Sequence, residues 1–285
     1  MTDTDKLIDD LLTLAFAEDV GDGDHTTLST IPAEARGKQR LIVKEEGILA
    51  GVDMARRVFE KFDPELKMTV FIEDGAHVKP GDVAFEVEGS VRSLLQTERV
   101  MLNIMQRMSG IATTTAKYQS KLDGTGAKVL DTRKTTPGMR IMEKEAVKIG
   151  GGTNHRIGLF DMILIKDNHV DFAGGIDKAV GAAKNYCKAK GKDLRIEVEV
   201  RNTDEIEQAI KAGVDRIMLD NFSPERTAEA VKLIRAKAPG VEIESSGGIT
   251  LDTLRSYGEC GVDFISVGAL THSVKGLDMS FKAAK

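Results

Sequence analysis

Residues 195–221 read RIEVEVRNTDEIEQAIKAGVDRIMLDN. An apolar run alternating with charged residues, 195–200, gives way to a polar break, a helical stretch over 203–212, and a second apolar run over 215–219. Strand, helix and strand in that order make a parallel crossover unit, because parallel strands cannot be joined by a tight turn.

The same rhythm extends in both directions from about Ala127. Candidate strands are 128–130, 161–165, 195–200, 215–219, 241–244 and 263–267, with helices between them such as 224–238, which has Pro224 at its first turn. Their carboxyl ends read Asp131-Thr132-Arg133-Lys134, Lys166-Asp167-Asn168-His169, Glu199 within the third strand, Asp220-Asn221, Ser245-Ser246-Gly247-Gly248 and Gly268-Ala269. Every end carries polar, charged or phosphate-compatible groups. A doubly wound sheet concentrates its ligand at one switch point, so six loaded ends favour an α/β barrel with fewer than eight units.

Upstream the rhythm differs. Residues 36–89 hold short apolar segments broken by turn signals, such as Lys79-Pro80-Gly81-Asp82 before the alternating 83–88. This predicts a small α+β unit with hairpins. A helical pattern from 91 to about 109, with Leu94, Leu95, Leu102 and Met105 at helical spacing, leads out of it. The expected organisation is an N-terminal domain and connecting helix over 1–108, a barrel over 109–272, and a tail over 273–285 that returns to the first domain.

Composition narrows the function. Lys and Arg number 40 against 45 Asp and Glu, a formal charge of −5, so no bulk basic field exists for nucleic acid or an anionic membrane, and any anion needs a local cationic pocket. The acidic start, Met1 to Asp10, lacks the pattern of a signal peptide, and no run reaches the ~18 apolar residues of a membrane span. A cytoplasmic protein is expected. Cys187 and Cys260 have neither CxxC nor zinc spacing and read as unpaired thiols. Asp22-Gly23-Asp24-His25 lacks the glycine and final glutamate of a calcium loop and reads as a turn. The five histidines give no zinc spacing and no serine lies in a G-x-S-x-G elbow, which removes zinc-enzyme and hydrolase readings.

Three constellations remain. Arg133, Lys134, Arg140, Lys148, His155, Arg156 and Lys166 form a cationic set suited to small substrates with several carboxylates or phosphates. Arg140 and Lys148, inside a helical stretch, read equally well as solvated surface residues. Glu197 and Glu199 share one side of a strand, and Glu199 with Asp220 on the next strand would make a magnesium or ribose-hydroxyl site. An internal salt bridge to the nearby lysines is the alternative. Ser246-Gly247-Gly248 before a helix at Thr250, and Gly268-Ala269, look like a phosphate cup.

These segments together resemble the quinolinate phosphoribosyltransferase family, the carboxylating nicotinate-nucleotide pyrophosphorylases. The matching stretches are Thr97-Glu-Arg-Val-Met-Leu-Asn103, Ser109-Gly-Ile-Ala-Thr113, Leu130-Asp-Thr-Arg-Lys-Thr-Thr-Pro-Gly138, Gly150-Gly-Gly-Thr-Asn-His-Arg-Ile-Gly-Leu159, Ile163-Leu-Ile-Lys-Asp-Asn-His169, Ile196-Glu-Val-Glu-Val200, Met218-Leu-Asp-Asn-Phe222, Ser246-Gly-Gly-Ile249 and Ser266-Val-Gly-Ala-Leu-Thr-His-Ser273. His25 stands where an aliphatic residue is more usual.

The resemblance implies an α/β sandwich followed by an incomplete barrel, at least a dimer, with each site closed by the neighbouring subunit. It implies transfer of a phosphoribosyl group from phosphoribosyl pyrophosphate to quinolinate, with loss of carbon dioxide, in NAD biosynthesis. Quinolinate would meet Arg133, His155, Arg156 and Lys166, with Arg99 from the partner. Lys134, Glu199 and Asp220 would hold phosphoribosyl pyrophosphate and Mg2+. Ser246, Gly247, Gly248, Val267, Gly268 and Ala269 would cradle the 5′-phosphate, and Thr132 and His272 complete the substrate set. Lys134, Lys166, Glu199 and Asp220 are the expected catalytic residues. The alternatives are a paralogue of molybdenum-uptake operons, a phosphosugar-binding regulator without activity, and an aldolase using a desolvated Lys166 amine.

Overall fold

Strand β1 (Arg36–Val43) alternates buried Leu41 and Val43 with exposed Arg40, and this period of two fixes which face meets the core. In a computed structural model that describes residues 3–284, two helices precede it, α1 (Asp3–Asp19) and α2 (His25–Thr30). Met1, Thr2 and Lys285, at the outer ends of the expected first and last segments, lie outside the described residues. The Asp24 stretch is the turn expected: its carboxylate accepts the Thr27 amide at 3.0 Å and caps α2.

After β2 (Gly47–Ile48) and α3 (Val52–Phe62), β3 (Lys67–Val70), β4 (His77–Val78) and β5 (Val83–Ser90) follow. The chain's last strand, β12 (Met279–Ala283), pairs with β1, giving an antiparallel sheet in the order β12-β1-β5-β3, while β2 and β4 form a separate ribbon. Helix α3 buries Val52, Ala55, Val58 and Phe59, and Phe59 packs on Phe85 of β5 and Phe281 of β12 with centroids 6.2 and 6.0 Å away.

Helix α4 (Val91–Lys121) runs twelve residues past the expected end at Ser109. The Ser109-Gly110 pair looks like a break but serves packing. Ser109 Oγ bonds both the amide and the carbonyl of Ala50, at 2.9 and 3.0 Å, and a Cβ at position 110 would collide with the Lys275 carbonyl. The helix therefore continues, with Ile111, Ala112 and Thr115 buried.

The remaining elements alternate: β6 (Lys128–Leu130), α5 (Arg140–Ile149), β7 (Ile163–Ile165), α6 (Asp167–Ala173), α7 (Ile176–Lys190), β8 (Ile196–Val200), α8 (Thr203–Ala212), β9 (Arg216–Asp220), α9 (Pro224–Lys237), β10 (Glu242–Ser246), α10 (Leu254–Gly258), β11 (Phe264–Ser266) and α11 (Ala269–His272). The six expected strands form one parallel sheet in the order β6-β11-β10-β9-β8-β7. Since β6 and β7 are its edges, the barrel is incomplete. Helix α10 starts four residues later than the expected Thr250, because the Thr253 hydroxyl accepts the Thr250 amide at 3.0 Å and spends those residues in turns.

Contacts divide the chain into two compact units. One holds residues up to 116, 134–151 and from 269 onward; the other holds 117–133 and 152–268. The division differs from boundaries at 108 and 272 in sending α5 and α11 to the first unit.

Candidate active site

Register decides which side chains share a face. Glu197 pairs with Arg216 and Glu199 with Met218, while Glu242, Glu244 and Ser246 pair with Arg216, Met218 and Asp220. In a parallel ladder register partners point the same way. One face thus carries Glu197 and Glu199 from β8, Arg216 and Asp220 from β9, and Glu242, Glu244 and Ser246 from β10. Val198, Val200, Ile217, Leu219 and Ile243, fully buried, turn the opposite way into the helices.

Toward the carboxyl ends, Glu199 and Asp220 share this face on neighbouring strands, close enough for the Asp220 charge to act on Glu199. Burial raises the Glu199 pKa, the Asp220 charge adds to the rise, and Lys166 opposes it only weakly, its Nζ being 3.7 Å from Glu199 Oε2. This spot is short of positive charge, which fits a hard divalent cation on oxygen ligands. Lys166 follows β7 and its side chain is 50% exposed. A solvated ammonium does not suit the aldolase reading, which needs a desolvated amine, so that alternative falls.

The opposite imbalance occurs at Arg156. Burial lowers its pKa, and the charge of nearby Arg133 lowers it further. Arg156 Nη1 donates to the Met162 carbonyl at 3.2 Å. Two guanidiniums that repel one another are relieved by a ligand with several negative charges.

Below Glu199 is a buried ionic cluster. His155 Nε2 is 3.0 Å from Glu197 Oε2 and 3.4 Å from Glu244 Oε2, with both carboxylates at 0% exposure. Arg216 Nη1 lies 3.2 Å from Glu244 and 4.0 Å from Glu197, its Nη2 2.8 Å from Glu242, and its guanidinium stacks over Phe264. Burial pushes Glu197 up to about 7, with the Glu244 charge adding to it. Burial lowers the His155 pKa, but the two glutamates outweigh it and push the value up to about 9. That pull favours two protons on the ring, yet Nδ1 already accepts the Arg156 N–H at 2.7 Å and has no room for one. With Nδ1 occupied as an acceptor, the ring places its proton on Nε2, toward the two carboxylates, of which Glu197 is the one held high by burial and by the Glu244 charge.

The glycine loop after β10 is shaped by close approach. Asn221, at φ 55°, donates its amide to Ser246 O at 2.9 Å and its Nδ2 to Asp220 Oδ2 at 2.7 Å. A Cβ at Gly247, where φ is 99°, would run into the Asn221 amide nitrogen and side chain, so only glycine fits. Val267 is buried and its amide donates to Leu130 O at 2.9 Å, which commits it to the sheet. Gly268 and half-buried Thr132 each lie two residues past the end of their strand.

In the other unit, the Lys134 carbonyl accepts the Thr271 hydroxyl at 2.9 Å. Glu143, wholly buried on α5, takes Arg107 Nε and Nη2 at 3.1 and 3.0 Å and the Thr136 amide at 3.2 Å, so it secures the segment after Lys134. Arg107 also donates to the Thr271 carbonyl, and Thr271 precedes His272 on α11, which begins at Ala269. Arg140 donates to Thr135 Oγ1 at 3.0 Å. Lys148 pairs with Glu145 at 2.7 Å with both side chains about half exposed, which is the surface reading. Arg99 is exposed on α4.

Glu244 and Arg216 were not singled out from the sequence. The signal was available: Glu242 and Glu244 repeat the spacing of Glu197 and Glu199, so β10 carries a second charged face that needs a partner.

A parallel, incomplete barrel with paired carboxylates at its strand ends and a pair of neighbouring guanidiniums in its loops suits a small polyanion. The comparisons specify it. Residues 24–109 match the quinolinate phosphoribosyl transferase N-terminal domain and residues 111–282 its C-terminal domain. Quinolinate phosphoribosyltransferase [decarboxylating] 1b of Nicotiana tabacum is 43% identical over 288 residues, 95% of this chain and 81% of the relative. The crystal structure of NadC from Streptococcus pyogenes superposes with a TM-score of 0.91 at 41% identity, covering 100% of this chain and 99% of that one. The nicotinate-nucleotide pyrophosphorylase of Francisella tularensis gives 0.90 at 42% identity, covering 98% and 96%. The chain belongs to the quinolinate phosphoribosyltransferase family.

Proposed function

We propose that this chain transfers the phosphoribosyl group of phosphoribosyl pyrophosphate to quinolinate, releasing pyrophosphate and carbon dioxide and forming nicotinate mononucleotide for NAD biosynthesis. The observation that carries it is the pair of opposite charge imbalances in one barrel: Arg133 against Arg156, and Glu199 against Asp220. A dicarboxylate relieves the first and a divalent cation the second. Family membership over both domains supports the same reading.

In this reading Arg133, Arg156 and Lys166 hold the quinolinate carboxylates and align the pyridine nitrogen with the ribosyl carbon, His155 lying beneath them. Glu199 and Asp220 would hold Mg2+, which when bound neutralises charge on the departing pyrophosphate. Lys134 acts on the same leaving group. Both carboxylates also face the positive charge that grows on the sugar as its bond to pyrophosphate breaks. The glycine loops at Ser246–Gly248 and Val267–Gly268 serve the 5′-phosphate. Once the ring nitrogen is ribosylated and cationic, the adjacent carboxylate leaves as carbon dioxide, the bonding pair stays on that ring carbon beside the positive nitrogen, and a proton from solvent completes the C–H bond. No covalent enzyme intermediate is needed.

We further propose a homodimer in which exposed Arg99 reaches the partner's site. Lys166→Ala should lower kcat/KM for quinolinate by roughly 10- to 100-fold, the loss of one charge-assisted bond. Refolded together with Arg99→Ala, it should regain about a quarter of wild-type activity, because about half the dimers are mixed and each has one undamaged site. A loss under about threefold would remove Lys166 from the site. A mixture no more active than its parents, with mixed dimers verified by native mass spectrometry, would reject the shared site.

A further inference from the structure

His155 Nδ1 accepts a main-chain N–H inside the protein, and its Nε2 lies within ion-pair distance of two buried carboxylates. Nδ1 accepts the Arg156 main-chain N–H at 2.7 Å, so the ring proton sits on Nε2, which faces Glu197 and Glu244 at 3.0 and 3.4 Å. The side chain is only 7% exposed. The His155 amide donates to Oδ1 of fully buried Asp131 at 2.8 Å, so the main chain is anchored here from a second side. Flipping the imidazole would turn a C–H toward two buried carboxylates and remove the acceptor from the Arg156 amide. The glutamates therefore select one ring orientation and one tautomer. The three groups are close enough to ligate a metal, but Arg216, 3.2 Å from Glu244, already supplies the cation.

We propose that Glu244 and Glu197, held by Arg216, are positioning residues for substrate binding: by fixing His155 they set the Arg156 main chain, and with it the guanidinium that grips a quinolinate carboxylate. The proposal rests on the quinolinate reading, so its test has one arm that needs no turnover. Long-range 1H–15N correlation on the 15N-labelled full chain at neutral pH reads the tautomer directly. Its His155 signals are assigned by replacing exposed His25, His77, His169 and His272 in turn. An unprotonated Nδ1 and a protonated Nε2 are expected. A doubly protonated ring, or a proton on Nδ1 alone, overturns the proposal whatever the substrate is.

The second arm is Glu244→Gln, which keeps an acceptor but removes the charge that selects the ring. KM for quinolinate should rise about tenfold, with KM for phosphoribosyl pyrophosphate changing by about twofold or less. A loss confined to kcat, or an equal rise in both KM values, marks Glu244 as structural only and also overturns the proposal. Should the variant not fold, the wild-type tautomer decides alone.

Discussion

Offered nicotinate in place of quinolinate, the protein is expected to lose about 10^3- to 10^4-fold in kcat/KM, because a site built around a second carboxylate leaves its cations unpaired when that group is missing. Arg156 is the main source of the penalty. It is partly desolvated and repelled by Arg133, against smaller opposing pulls from Glu197 and Asp161, so losing a ligand carboxylate beside it is costly. Lys166, half in solvent, adds less, since water can replace its lost partner. Nicotinate also has no second carboxylate to leave once the ring is cationic. Steady-state rates on both acids measure the ratio, and near-equal values would dissociate the guanidinium pair from substrate choice.

Stripping divalent metal with excess chelator should reduce turnover below detection, and added Mg2+ should restore it, because the Glu199 and Asp220 charges repel one another and Lys166 sits 3.7 Å from Glu199 with its side chain half exposed. Glu199→Gln and Asp220→Asn should each raise the Mg2+ concentration needed for half-maximal rate. Acid should act in the same direction. The Glu199 pKa is raised by burial and by Asp220, so protons compete with metal at a higher pH than at an ordinary carboxylate, and the Mg2+ requirement should grow as pH falls. Full activity in chelator would leave Glu199 as a partner of Lys166 and Asp220 as an acceptor for Asn221, with no metal role for either.

The parallel sheet was legible because its signal is local: apolar alternation within each strand, helical spacing between them, and charge where strands end. All six expected strands formed, each within two residues of its expected ends. Where tertiary contacts overrode local signals, the reading failed. Ser109 and Gly110 look like a helix stop, but one bonds the Ala50 main chain and the other admits the Lys275 carbonyl. Thr250 looks like a helix start, but the Thr253 hydroxyl takes its amide. Lys148 belongs by composition to the cationic set and by geometry to Glu145.

The same division holds for the site. Arg133, Lys166, Glu199 and Asp220 end strands or follow them closely, so sequence position suggested them, while Arg156, in the loop between α5 and β7, was suggested by its place in the cationic set. Glu244 and Arg216 matter through register, and register depends on how β8, β9 and β10 pair across more than forty residues of chain. The tautomer of His155 was out of reach for a further reason. It depends on one main-chain amide, that of Arg156, and on two carboxylates from different strands.

The most direct test of the central claim is product identity. The purified chain, given Mg2+, phosphoribosyl pyrophosphate and quinolinate carbon-labelled in the carboxylate next to the ring nitrogen, should yield nicotinate mononucleotide by mass spectrometry, with all label recovered as carbon dioxide in step with pyrophosphate. A nucleotide that keeps both carboxylates, or no nucleotide at all from folded, magnesium-supplied protein, would contradict the account.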